Sequence, residues 1–200
     1  MPDAARRLVV VLLALTTVVG GTACSKKKAT ARARPTTTVA AGAITLNVAP
    51  SPDTPPAVKD ATVALLQRYL DDAILAPLRS GGPAPDLGPL FTAETAPRIS
   101  GGDRAAMVGE GMPKARGGIK ADAANATITP FKVRDQVPLV VAEIDLRLLA
   151  RDVAGSGVNI VQHGELTLVP EGSTWRIGGY DMLATRDTPA GTTTTTAVKR

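Results

Sequence analysis

The chain is short of the side chains on which most catalytic and metal chemistry depends. Its 200 residues include one cysteine, Cys24, and one histidine, His163. A single thiol cannot close an internal disulfide. One imidazole and one thiol are too few for a nitrogen/sulfur metal site, so no metal or other cofactor is expected. A serine triad would have to use His163, and no Gly-x-Ser-x-Gly elbow occurs. Gly155-Ser156-Gly157 lacks the surrounding pattern of a phosphate loop and reads as a turn. Aromatic residues are scarce, with one Trp, two Tyr and two Phe, and Trp175 is expected to be the main core anchor. Long apolar runs are lacking too: Leu8–Val19 is shorter than the roughly 20 residues that span a bilayer.

The net charge of +5 suggests nucleic acid until its location is examined. Residues 56–187 carry 14 basic and 16 acidic side chains, so this stretch is slightly acidic. The excess sits in Lys26, Lys27, Lys28, Arg32 and Arg34, with Lys199 and Arg200 at the far end. A nucleic-acid binder needs a basic patch on its folded domain, so no nucleic-acid partner is expected. A basic segment beside a lipid anchor is drawn instead to an anionic membrane surface.

Arg6 and Arg7, the apolar run Leu8–Val19 and the small residues Gly20–Ala23 have the layout of a secretory signal. Gly21-Thr22-Ala23-Cys24 resembles the lipobox of bacterial lipoproteins, although Gly21 stands where Leu, Val or Ile is usual. The resemblance implies cleavage before Cys24, diacylation of its sulfur, and a protein held on the extracytoplasmic face of the cell membrane. Two acyl chains make a stable anchor where one holds only marginally. An uncleaved membrane anchor and simple secretion are the alternatives. The expected organisation is a signal at 1–23, a disordered tether at 24–55, an α+β domain at 56–187 and a disordered Thr-rich tail at 188–200.

Within the domain, Val58, Ala61, Leu65, Tyr69 and Ala73 recur at helical spacing. They predict an amphipathic helix over Ala57–Ala76, capped by Thr54 and stopped by Pro77. Short helices are expected at Leu87–Ala96 and from Asp103 to Val108. From residue 119 the period becomes two, predicting strands at Asn125–Arg134, Leu139–Arg151, Val158–Val169 and Thr174–Thr185. Ala43–Val48 also alternates and is a candidate edge strand. Helices followed by an antiparallel meander are an α+β order.

The segment Gly172-Ser173-Thr174-Trp175-Arg176-Ile177-Gly178-Gly179-Tyr180-Asp181 resembles the closing strand of the nuclear-transport-factor-2-like superfamily. The resemblance implies a long N-terminal helix packed on a curved antiparallel four-stranded meander, the two enclosing a conical pocket. It does not fix function, because that superfamily holds enzymes and non-catalytic accessory domains alike. Within such a cone His163 and Asp181 are the candidate acid/base groups and Tyr69 and His163 the candidate ligand contacts. Glu143 and Asp145 are further candidate partners of His163. The leading expectation is a non-catalytic, membrane-tethered lipoprotein that binds an apolar small molecule or serves as an accessory subunit of an envelope complex. An isomerase or dehydratase and a purely structural interaction module are the alternatives. No residue pattern decides whether the chain forms a homodimer.

Overall fold

The computed structural model describes residues 43–187 and 193–199. Cys24, the lipobox-like segment and most of the expected tether lie outside the described residues. Six strands form one sheet whose spatial order follows the chain. They are β1 (Asn47–Pro50), β2 (Lys120–Val133), β3 (Gln136–Arg151), β4 (Gly157–Glu171), β5 (Thr174–Asp187) and β6 (Thr193–Lys199). β1 lies parallel to β2, and every later pair is antiparallel. The parallel pair requires a crossover. It holds a helix of about 25 residues (α1, residues 56–80), 3-10 turns at Gly88–Leu90 and Ala96–Arg98, and a short helix α2 (Gly101–Met107). No helix among the described residues is long and apolar enough to cross a membrane.

This architecture corrects the expected one. The sheet is mixed and six-stranded, and a strand precedes α1, so the fold is not a long N-terminal helix on a four-stranded meander. Both additional strands come from segments expected to be tether and tail. β1 overlaps the end of the alternating Ala43–Val48 stretch and does lie at a sheet edge, but its parallel pairing depends on a strand about 70 positions later. β6 is built mostly of threonine, whose branched Cβ suits a strand although the segment reads as low complexity. Pairing with β5 gives its backbone groups the partners that composition alone cannot reveal.

The four long strands bury one face by alternation. Val140, Ala142, Ile144, Leu146 and Leu148 of β3 point inward, as do Val158, Ile160, Leu166 and Leu168 of β4. They meet Leu65, Leu66, Tyr69, Leu70, Ala73 and Ile74 of α1 in one continuous core. Tyr69, Tyr180 and Phe91 are its largest fully buried side chains, whereas Trp175 is half-buried and packs at the margin.

Pro77 does not stop the helix. Residues Tyr69–Leu75 widen into π-helical turns, and a regular helical segment, Ala76–Ser80, follows. Pro77 has no N–H for the Ala73 carbonyl four residues earlier. That carbonyl accepts instead from the Gly109 N–H at 2.8 Å. A Cβ on Gly109 would lie 2.5 Å from the Ile74 carbonyl oxygen, so only glycine lets the backbone come this close. At the other end Pro55, not Thr54, is the N-cap, and no side chain caps the helix. Gln67 on α1 fastens the chain before β1: its Oε1 accepts from the Leu46 N–H at 2.9 Å, and its Nε2 donates to the Ile44 carbonyl at 3.0 Å.

Candidate functional site

Two clusters of polar side chains stand out, one on each face of the sheet. On the inner face they gather around α2. The C-terminal carbonyls of a helix have no partner within it. Val108 N–H returns to the Arg104 carbonyl, and side chains from three other elements take the rest. Arg186 of β5 donates through Nη2 to the carbonyls of Ala105 and Val108, and through Nη1 to that of Glu110 at 2.7 Å. Gln162 of β4 donates to the Ala106 carbonyl, and the Tyr69 hydroxyl of α1 donates to the Met107 carbonyl at 2.9 Å. At the start of α2 the buried Asp103 carboxylate accepts from the Tyr180 hydroxyl at 2.7 Å.

The electrostatics match this clamp. Burial raises the Tyr69 hydroxyl far above the ordinary phenol range, against smaller opposing effects of Gln162 and the Arg186 charge. Burial also lowers Arg186, while Tyr69 and Glu110 act in the opposite sense. Arg104 donates to Glu110 through Nε at 2.7 Å, and this bond holds the Glu110 carboxyl below its usual range. Gln162 Oε1 and Arg186 Nε are buried without a hydrogen-bond partner among the described residues.

The outer face carries the other cluster. Glu143, Glu165 and Asp181 stand directly opposite one another on β3, β4 and β5. Lys199 of β6 ends this row, its Nζ 3.4 Å from Asp181 Oδ2. In the next row His163 stands opposite Asp145 and Leu183. His163 is exposed and makes no hydrogen bond or ion pair to a carboxylate among the described residues. His163, Glu165 and Asp181 border an open depression of about 320 Å³ over Gly164. No group of three or more His, Cys, Asp or Glu side chains among the described residues could hold a metal ion.

The structure therefore separates the candidates that the sequence suggested together. His163 and Asp181 are exposed on the outer face, and Tyr69 is buried on the inner one. The expected convergence of His163 and Tyr69 in one cone does not occur. Glu143 and Asp145 do share the His163 face, and Cys24 lies outside the described residues.

No protein-family model, curated protein or solved structure matches this chain.

Gln162 and Arg186 were not singled out from the sequence, and Asp103 only as the start of a short helix. A signal for two of them was present. Gln162 interrupts the inward series Val158, Ile160, Leu166, Leu168, and Arg186 continues the inward series Tyr180, Met182, Ala184. A polar side chain in the apolar phase of a strand must find a buried partner, because an unpaired one is costly. Here the partners are main-chain carbonyls, which no residue pattern displays.

Proposed function

We propose that this protein is a membrane-tethered, extracytoplasmic lipoprotein whose folded domain acts without catalysis, as an accessory or interaction subunit of an envelope complex. One observation carries the choice among the expectations. The space between α1 and the sheet, where a cone pocket would lie, is filled by Tyr69, Leu70, Ile74, Phe91, Tyr180 and their neighbours. That filling supports an interaction role over one in which an apolar ligand or substrate enters the core. Inside the core Tyr69, Gln162 and Arg186 donate to the carbonyls of α2 and its following loop, which favours the same reading.

The lipobox-like Gly21–Cys24 and the basic residues behind it support the tether. Cys24→Ala is expected to release the protein from membranes or to block its processing, as read by fractionation and by the intact mass of the product. A variant that stays membrane-bound and correctly cleaved would refute the anchor. Native mass spectrometry of the detergent-extracted wild type is expected to show acyl mass and no stoichiometric small molecule. A retained apolar ligand would favour the binding reading over the interaction one.

A further inference from the structure

On the membrane-tethered reading proposed above, one end of the domain faces the membrane. At the end of the sheet where β3 turns into β4, Arg116, Lys120 and Arg151 line a cleft of about 420 Å³. Gly118, Leu149, Ala150 and Gly157 complete it, and no carboxylate lines it. The Lys120 side chain has no hydrogen bond or ion pair among the described residues. Arg116 and Arg151 are held on the connecting loop by long bonds to the carbonyls of Val153 and Gly155, at 3.4 and 3.1 Å. The acidic groups nearest in sequence and register are occupied. Asp152 is buried and accepts from the Ser156 N–H, Asp187 accepts from Asn159 and Thr193, and the exposed Asp122, two residues from Lys120, lies 3.8 Å from Arg147. Two apolar side chains project at the same end: Val153 is 65% exposed and Leu149 45%. Cationic groups around exposed aliphatic ones match an anionic interface with an apolar layer beneath it.

Topology supplies the second argument. β1 is parallel to β2, with Asn47 beside Asn125, so the chain before β1 heads toward the Lys120 end of the sheet. The described chain therefore begins, at Ala43, on the side of the cleft. The opposite end also exposes apolar side chains, Phe131 and Val133, on the β2–β3 hairpin. That hairpin carries Lys132 and Arg134 as well, but Asp135 stands beside them in the turn, and it lies away from where the chain enters the domain.

We infer that the β3–β4 end of the domain rests on an anionic phospholipid surface, with Arg116, Lys120 and Arg151 taking lipid phosphate groups and Val153 and Leu149 reaching the headgroup layer. The test uses the chain from residue 24 onward carrying Cys24→Ala, which keeps every core residue from Ile44 to Met182. Binding to phosphatidylglycerol vesicles is measured by co-sedimentation at low salt, with phosphatidylcholine vesicles for comparison. All variants keep the basic tether, so differences among them report the domain alone. Arg116→Gln, Lys120→Gln and Arg151→Gln together are expected to weaken binding by about a hundredfold, since each basic group near the surface contributes about fivefold. Lys120→Glu breaks no side-chain hydrogen bond or ion pair among the described residues and should alone weaken binding several-fold with an unchanged melting curve. Lys132→Gln with Arg134→Gln, at the far hairpin, should change nothing.

Wild-type binding by the triple variant or by Lys120→Glu would overturn the inference, as would loss confined to the far-hairpin variant. Saturation of the cleft by millimolar inorganic phosphate, with vesicle binding insensitive to the triple variant, would make it a soluble-anion site and also overturn it. None of these outcomes bears on the anchor, which fractionation of the Cys24 variant decides separately.

Discussion

At the scale of single residues, Gly164 has the least freedom to change. It sits in the middle of β4 with φ +148°, and a Cβ there would lie 2.1 Å from the Asp181 carbonyl oxygen and 2.9 Å from Met182 Cα. Both obstacles are backbone, which cannot swing aside as a flexible side chain can. Gly164→Ala is expected to destabilise the fold by about 2–3 kcal/mol or more, measured by urea denaturation, because strain at such a conformation adds to the clash. Val161→Ala, two strand positions from His163 on the half-exposed face, should cost much less. The sequence shows Gly164 only as a gap in an otherwise alternating strand. Its reason lies on β5, in a register that no local pattern reveals.

At the scale of elements, α2 and the clamp around it show what binary patterning can and cannot convey. The alternation of Val140, Ala142, Ile144, Leu146 and Leu148 makes β3 legible from sequence alone, and the period of α1 does the same for its apolar face. The clamp is not legible in this way. It joins α1, β4 and β5 to the carbonyls of a seven-residue helix, and each contact spans dozens of residues. Pro77 misleads for a related reason, since its effect on α1 is offset by the Gly109 N–H arriving from a distant loop. Tyr69→Phe leaves the Met107 carbonyl without its donor in a buried site and should cost about 1–3 kcal/mol in chemical denaturation. The pH dependence follows from the same burial. A folded-state pKa raised above the unfolded value of about 10 means that the neutral phenol's contribution is fully present below pH 10 and is lost as pH rises beyond it. Wild type should therefore lose stability above pH 10, and Tyr69→Phe should lose less over that interval.

At the scale of the whole molecule, the two ends of the described chain form the two edges of the sheet. An edge strand leaves a row of unpaired backbone groups, and which strand occupies the edge decides how readily copies associate. β1 is four residues long and ends in Pro50, features that blunt an edge. β6 covers β5, places Val198 against the core and pairs Lys199 with Asp181. A chain ending at Asp187 should therefore melt lower, by about 2–4 °C for each kcal/mol lost, and should associate through the uncovered β5 edge. Light scattering during size-exclusion chromatography would detect the association, and a monomeric truncation with an unchanged melting point would refute this role for β6. The long strands were legible because their hydrophobic alternation is repeated many times. The edges were less so: the alternation of Ala43–Val48 hinted at β1 without its parallel partner, and the threonine run becomes a strand only through the neighbour it joins.

The parallel seating of β1 also has a mechanical meaning. Tension on the chain at Ala43 would pull β1 along its own axis, past β2, and not away from it sideways. Ladder hydrogen bonds lie across that direction, so they share the load instead of opening one after another. Gln67 adds two further bonds ahead of the ladder, to Leu46 and Ile44, and ties the first stressed residues to α1. Force applied to the chain at Ala43 would thus meet shear resistance backed by a helix at the point where the chain joins the domain.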